Sequence, residues 1–541
     1  MVWARRIIQT LCLILFLGLI WLAAQNSENA AGPGLDIFFH FDPLMAAGTW
    51  LSAHQLPPVF ALALVTLLAT ILLGRVFCGW ICPLGAINHA VTWLRPRAGK
   101  AKDAFSVWQC PKYYLLAALI VMAIFGANLI GVFDPLSLTY RAVTTALYPA
   151  SQYAIEEAST TVYQADPRLG PLCATAVTEP VYTFFRDNVF MKERGQFIGA
   201  GILVAFFLTA VLLNLYKPRF WCRYICPLGA LLGLCSKRPA LRISHSSDCT
   251  QCGRCAIACP AAADPDKPGH WQPAECYACW NCIPACNREA IHYSFKSPFT
   301  APTHAKLDVS KRAMLVAGAG GVGALLMLRL TPEAQGKTFT PGLIRPPGAR
   351  AERDFLQRCV KCGLCMQACP TNALHPTTLQ AGLEGIWTPM LVPKLGYCEY
   401  ACTLCGQVCP TQAIQNLPVE EKKTTKIGLA AFDKNRCLPY AYERECLICE
   451  EHCPLPKKAI YFVPTELKTR DGGTVTLKQP RVDPALCIGC GICENVCVFK
   501  DIAAIHVTSA GETRHEPNRP ILQDPWQDSS SFNTNNPYSE G

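Results

Sequence analysis

The sequence predicts two kinds of fold on one chain. The first is an α-helical membrane domain built as a two-fold repeat of helix pairs; the second is a set of small α+β domains organised around cysteine. Three observations lead there. Of 541 residues, 51% are hydrophobic and only 16% are charged, with a mean hydropathy of +0.20, which excludes a disordered chain and sits poorly with an ordinary soluble enzyme. Apolar stretches of helical-span length recur through the first half. The chain also holds 32 cysteines in regular Cys-x-x-Cys runs. Disulfide scaffolds are short secreted domains with irregular spacings, so this count points to metal.

Residues 7–24, 59–73, 113–132 and 198–216 form four apolar segments, near the roughly 20 residues that a helix needs to cross a bilayer. Arg5 and Arg6 precede the first, and no Lys or Arg lies between the first and second. Arg75, Arg95, Arg97, Lys100, Lys102 and Lys112 lie between the second and third, against the single acid Asp103. Lys217, Arg219, Arg223, Lys237, Arg238 and Arg242 follow the fourth. By the positive-inside rule this alternation predicts a cytoplasmic N-terminus and a multi-pass protein of the bacterial inner membrane. It also absorbs much of the +10 net charge, so no nucleic-acid partner is expected.

The four segments repeat as two halves. Phe41-Asp42-Pro43-Leu44 follows the first and Phe133-Asp134-Pro135-Leu136 the third. Phe77-Cys78-Gly79-Trp80-Ile81-Cys82-Pro83-Leu84-Gly85-Ala86 closes the second, and Trp221-Cys222-Arg223-Tyr224-Ile225-Cys226-Pro227-Leu228-Gly229-Ala230 the fourth. Equal topology in both halves implies a pseudo-two-fold axis along the membrane normal, with an outward insertion near 145–197 in the second half. Cys78, Cys82, Cys222 and Cys226 fall at the cytoplasmic ends of paired helices. Three roles are open to them: redox-active thiols, joint ligands of an additional metal across the axis, or packing.

Downstream, Cys249, Cys252, Cys255 and Cys259 precede Pro260, and Cys276, Cys279, Cys282 and Cys286 follow. This is the run of α+β bacterial-type 2[4Fe-4S] ferredoxin domains, in which three cysteines of each set wrap one cubane and the fourth reaches the other. One cluster is assigned Cys249, Cys252, Cys255 and Cys286, and the second Cys276, Cys279, Cys282 and Cys259. Four further sets are Cys359/Cys362/Cys365/Cys369, Cys398/Cys402/Cys405/Cys409, Cys437/Cys446/Cys449/Cys453 and Cys487/Cys490/Cys493/Cys497. The expected total is six [4Fe-4S] clusters. For the fourth ligands the preferred arrangement is nested: Cys369 and Cys497 exchange between the outer sets, and Cys409 and Cys453 between the inner ones. Sequential exchange is the alternative. Cys12, Cys110, Cys173 and Cys235 remain as small apolar residues.

Residues 313–330 form a fifth apolar segment containing Gly318-x-Gly320-x-x-Gly323. A dinucleotide fingerprint requires a strand–turn–helix setting and a later acid; a Pro/Gly-rich stretch follows instead, so the segment is read as a fifth span. Ser310-Lys311-Arg312 before it resembles a twin-arginine export signal with Lys for the first arginine. The expected domains are a membrane part (1–243), a cytoplasmic ferredoxin (244–295), a linker with the fifth span (296–340), a four-cluster domain outside the membrane (341–510), and a disordered tail (511–541). The hydrocarbon between the two cluster groups measures about 30 Å, and something must bridge it.

On the Cys-x3-Cys-Pro-Leu-Gly repeats and the ferredoxin pair that follows, residues 1–295 resemble the NapH type of membrane quinol dehydrogenase component, related to the membrane part of the NosR regulators. From Arg345-Pro346-Pro347-Gly348-Ala349 to about Val507 the chain resembles the NapG/MauM type of four-cluster polyferredoxin. The resemblance implies an electron-transfer subunit of a quinol dehydrogenase-type oxidoreductase. It would relay electrons between the quinone/quinol pool and a periplasmic or membrane cytochrome or reductase, with quinol as a further ligand. His40, Asp42, His54 and Asp134 lie by the predicted outer face as candidate proton acceptors, although the Asp-Pro pairs read first as helix caps. The competing reading is a ferredoxin-linked copper reductase or oxidoreductase-maturation protein with all clusters cytoplasmic. No nucleophile–base constellation or phosphate loop suggests substrate chemistry of its own.

Overall fold

The computed structural model describes residues 1–25, 32, 34–55, 57–94, 105–165, 168–169, 172–173, 175–190, 195–266, 269–297, 310–329, 340–468 and 473–514. The predicted tail beyond 514 and much of the linker around the fifth apolar segment lie outside these residues.

Apolar composition and proline placement set the helices. The first half comprises α1 (Val2–Gln25), α2 (Pro43–Ala53), α3 (Leu62–Leu73) and α4 (Pro83–Leu94); the second comprises α5 (Pro111–Ile124), α6 (Pro135–Ala142), α7 (Tyr148–Ala165), α8 (Thr175–Asn188), α9 (Ala200–Tyr216) and α10 (Pro227–Cys235). The fifth apolar segment is α11 (Lys311–Leu328). Proline opens α2, α4, α5, α6 and α10, where its missing N–H costs no helical hydrogen bond. The third apolar stretch does not run unbroken to residue 132. It turns at Gly126, whose φ is +83°, and resumes as a single turn over Ile130–Phe133.

The repeat is visible element by element. Asp42 starts α2 by accepting from Leu44 N at 2.8 Å and Met45 N at 3.3 Å, and Asp134 starts α6 by accepting from Ser137 N at 2.9 Å. Each Cys-x3-Cys occupies the bend between an apolar helix and a return helix: α3 to α4 in one half, α9 to α10 in the other. α7 and α8 form the helical hairpin of the second-half insertion.

α1, the segment Val107–Ile124 that contains α5, and α11 are long and apolar enough to cross a membrane, and α3 and α9 are shorter apolar helices. Gly318, Gly320 and Gly323 all lie inside α11, so the dinucleotide reading has no strand–turn–helix to rest on. Instead, Gly321 allows α11 to approach α5, since a Cβ there would stand 2.8 Å from Ala118 O. Leu325 packs with Met122 and Ala127, and Arg329 donates to Phe125 O at 3.0 Å and pairs with Glu384 at 3.2 Å.

The cysteine domains dock at opposite ends of this bundle. The first is closed by antiparallel β1 (Leu241–His245) and β2 (Ile291–Phe295). It sits on the Cys-x3-Cys end, where Trp80 Nε1 donates to Ala278 O at 3.0 Å and Arg5 to Asn281 at 3.2 Å. Glu275, fully buried, accepts from Arg75 (3.3 Å), Tyr113 (2.8 Å) and Lys112. The C-terminal domain holds β3 (Leu374–Pro376) with β4 (Pro389–Leu391), β5 (Leu429–Phe432) with β8 (Ile505–Thr508), and the hairpin β6 (Ile460–Lys468) with β7 (Thr474–Val482). It sits on the Asp-Pro end: Ser52 Oγ donates to Gln357 O at 2.5 Å, Asn128 to the same carbonyl at 3.1 Å, and Lys361 Nζ to Asn128 O at 2.6 Å.

Arg345 explains the Arg-Pro-Pro-Gly-Ala entry to that domain. Its buried guanidinium grips Glu352 at 2.5 and 3.2 Å, donates to Pro389 O at 2.7 Å and stacks on Phe355. Burial alone would raise the Glu352 carboxyl, but Arg345 and Arg514 hold it down at about 2, against an ordinary 4.5. A carboxyl depressed on folding contributes stability above its unfolded value and loses it as pH falls through the folded value. Glu352→Gln is therefore expected to lower the stability of this domain by about 3 kcal/mol at neutral pH. The difference from the parent should shrink as the pH of thermal unfolding drops from 4.5 towards 2; a pH-independent difference would contradict the charge argument.

Candidate metal centres

Five of the six quartets are presented by a short loop, a single helical turn and a turn back, and the Cys276 set by turns alone. Three of the six sets place glycine after the second cysteine: Gly253, Gly363 and Gly491, with φ of +76°, +90° and +86°. That left-handed residue folds the loop so that three sulfurs face one point. In the first ferredoxin Trp280 takes this place at φ +57°. The sets with irregular gaps use Thr403 and Leu447 there, with φ −126° and −115°, so their wider spacing accompanies a different loop. Asn372 and Gln412, three residues after Cys369 and Cys409, are left-handed at φ +51° and +53°. This turns Ala373 N onto Cys369 Sγ at 3.3 Å and Ile414 N towards Cys409 Sγ at 3.5 Å.

Cys249, Cys252, Cys255 and Cys286 line one cavity of about 210 Å³, and Cys259 lies with Cys276, Cys279 and Cys282. In the C-terminal domain the nested exchange is corrected. Cys359, Cys362 and Cys365 share their cavity with Cys409, and Cys369 stands with Cys398, Cys402 and Cys405. Cys497 joins Cys437, Cys446 and Cys449, and Cys453 joins Cys487, Cys490 and Cys493. This is the placement of the sequential alternative: each fourth cysteine follows its own loop by a few residues and lies beside the adjacent set. Spacing alone could not choose, since it counts ligands per loop and not which loops pack together.

None of the described cysteines is in a disulfide. Burial pushes the Cys259 and Cys449 thiols up to about 12, so a thiolate there needs a cation beside it. Among the described residues no group of His, Cys, Asp and Glu converges at the distances of a single ion. Four sulfurs around a larger space fit a cubane, which takes one thiolate at each of four irons.

The four repeat cysteines also come together. All are buried, and each lies within electrostatic range of the others across the two halves. Cys12 and Cys235 are half-buried and Cys110 is buried. The side chain of Cys173 lies outside the description.

Asp42 and Asp134 act as caps, as read from sequence, and do more. Both are fully buried and the two side chains face each other, an arrangement in which two carboxyls do not both ionise. The equivalence of the two Asp-Pro turns was the available signal for this pairing. His40 pairs with Asp36 at 2.8 Å, while His54 is exposed, ending α2 at φ +53°.

The sets form a spatial series. Tyr277, inside the Cys276 loop, lies within electrostatic range of Cys222. Cys82 lies within electrostatic range of Asp134, and Arg141 within range of both Asp134 and Cys362. Cys365 lies within range of Cys405, Cys398 N donates to Cys490 O at 2.8 Å, and Cys493 lies within range of Cys449. The gap across the bundle is shorter than the hydrocarbon thickness expected from sequence. Along α1, Arg5 bonds Asn281 inside the Cys276 set, and Ile20 O accepts from Gln367 beside Cys369. Fifteen residues of helix rise only about 22 Å.

Comparison with known proteins agrees with this geometry. A family described as a 4Fe-4S binding domain matches residues 55–101 and again 200–244, the part of each repeat half that carries the Cys-x3-Cys motif. A second family of the same description matches 356–375 and 480–497. The fold and its cysteine sets define an iron–sulfur electron-transfer protein carrying multiple 4Fe-4S clusters. The ferredoxin-type protein NapG of Escherichia coli is 36% identical over 161 residues, 30% of this chain and 68% of its own length. The methylamine utilization ferredoxin-type protein MauM of Paracoccus denitrificans is 36% identical over 197 residues, 36% of this chain and 82% of its own. The chain belongs to this NapG/MauM family of ferredoxin-type proteins. The putative electron transport protein YccM of Escherichia coli is 26% identical over 288 residues, 51% of this chain and 68% of its own. No solved structure matches the chain.

Proposed function

We propose that the chain is a membrane-bound relay that moves electrons between the quinol pool and an extracytoplasmic reductase or cytochrome, joining a NapH-type membrane part to a NapG/MauM-type polyferredoxin. The 24 ferredoxin-set cysteines named above would hold six [4Fe-4S] clusters, in the sequential pairing. The carrying observation is the placement of the two cysteine domains at opposite ends of one apolar bundle, with the series of sets running through it. The course of α11 beside α5 supports a fifth crossing, and the basic residues around the Cys-x3-Cys end support a cytoplasmic first ferredoxin. The copper-reductase alternative puts all clusters on one side, and the opposed docking argues against it. The residues at the Asp-Pro end would receive the quinol head-group, where the carboxyl pair, already holding one proton, has room for one of the two that oxidation releases, the other leaving to solvent.

Two measurements test this. Protease added to intact spheroplasts should cut within residues 341–514 while sparing the first ferredoxin; cleavage only in inverted vesicles would overturn the orientation. A reduced quinol analogue should bleach the iron–sulfur absorbance of the purified chain, and no bleaching would overturn the quinol link.

A further inference from the structure

The Cys-x3-Cys-Pro repeats contribute only two cysteines per half, so neither half can hold a cubane alone, although the same 4Fe-4S family matches each of them. The structure supplies what one half lacks. Each motif is preceded at a fixed offset by an arginine, Arg75 before Cys78 and Arg219 before Cys222, and each arginine crosses to the other half. Arg219 Nη1 donates to Cys78 O at 3.0 Å, while Arg75 Nη2 lies so close to Gly229 that a Cβ there would meet it at 2.5 Å, with Cys226 Sγ at 3.5 Å. Gly229 N donates to Cys226 Sγ at 3.2 Å, and Asn88 Nδ2 approaches Cys222 Sγ at 3.5 Å.

Both guanidinium groups are fully buried; Arg75 is directed at the Cys78 side chain, and Nε and Nη2 of each arginine, like the buried hydroxyl of Tyr277, have no nitrogen or oxygen partner among the described residues. Tyr277 stands between them, its ring 4.9 Å from Arg75 and 4.8 Å from Arg219. Glu275 already faces Lys112 as well as Arg75, so two buried cations around four sulfurs call for an anion. A cubane bound by four thiolates carries net negative charge, whereas four neutral thiols do not answer this need.

We propose that Cys78, Cys82, Cys222 and Cys226 together bind one [4Fe-4S] cluster, a seventh, on the pseudo-two-fold axis between the two halves. Arg75 and Arg219 compensate its charge, and Tyr277 separates it from the set of Cys276. It stands between the first ferredoxin and the set of Cys359 and fills the gap across the bundle. The proposal adds a centre to the six-cluster relay and leans on that reading only for the baseline of the iron count.

The test is iron and acid-labile sulfide per purified full-length chain, with copper and zinc measured alongside, in the parent and in Cys78→Ser/Cys226→Ser. The parent should hold about 28 irons and the variant about 24. Because a buried double variant can misfold, reductive titration of the parent alone gives a second readout: about seven one-electron equivalents rather than about six. A parent at about 24 irons and six equivalents, unchanged in the variant, overturns the seventh cluster and leaves the six standing. Fewer than 24 irons in the parent, with about four still lost in the variant, supports the seventh and overturns the six. One copper or zinc per chain, lost in the variant while iron stays constant, overturns the cluster in favour of a mononuclear site.

Discussion

Glu275→Leu is expected to detach the first ferredoxin from the helix bundle. This carboxylate is fully buried and accepts from Arg75, Lys112 and Tyr113 at once. Removing it leaves two fully buried cations without their shared counter-charge, and breaking a buried pair in this way costs about 3–5 kcal/mol. Arg75 also donates to Ala274 O at 3.1 Å, so the backbone leading into the Cys276 loop loses its alignment too. The variant should show a lower unfolding midpoint in detergent and faster proteolysis across residues 241–295, with the C-terminal domain unaffected. Lys112→Met on the same background should restore part of the loss, since it removes one stranded charge; the coupling of neighbours makes this a double-mutant cycle. Unchanged midpoint and proteolysis would show that Glu275 does not hold this interface.

Gly131→Ala should release the other domain. Gly131 lies in the single turn before Asp134, and a Cβ there would stand 1.8 Å from Val360 O and 2.6 Å from Val360 C. Both are backbone atoms of the loop between Cys359 and Cys362, so no rotamer change relieves the clash. Overpacking of this kind costs about 3 kcal/mol when the obstacle cannot move. Moving the loop would also disturb Ser137 Oγ to Val360 O (3.3 Å) and the donation from Arg141 to Lys361 O. Reduction of the C-terminal clusters through the chain should slow sharply while iron content stays near parental. Gly320→Ala, which meets nothing within 4 Å, is the matched control and should behave as the parent. Equal rates in Gly131→Ala and the parent would place the contact outside the electron path.

The helices were legible because apolar composition, proline at first turns and the Asp-Pro repeat all act locally. The loops around cysteine were legible for the same reason: Cys-x-x-Cys-Gly needs a left-handed residue, and Gly253, Gly363 and Gly491 supply it. What escaped depends on which surfaces meet. The partner of Cys369 is set by the packing of its loop against the Cys398 loop, and no spacing encodes that. The pairing of Asp42 with Asp134 and the crossing of Arg75 and Arg219 arise only when the two halves face each other. Their signal was present as equal offsets in both halves, and it needed the axis to give it meaning. Lys361 at the interface, buried against Asn128 O, had no sequence signature beyond a charge inside a cysteine loop.

The covalent passage through α11 has a consequence for assembly. Two separate proteins meeting end to end across a bundle would need an interface strong enough to persist at cellular concentrations. Here a single chain tethers both docking faces, and a short tether holds them at an effective concentration in the millimolar range. The contacts made by Ser52, Asn128, Lys361 and Gln367 therefore need to fix the register of the C-terminal domain more than to supply its affinity. Such a joint can stay in place once formed and still open locally, so that an external redox partner reaches the far sets without the protein ever losing its one-to-one composition.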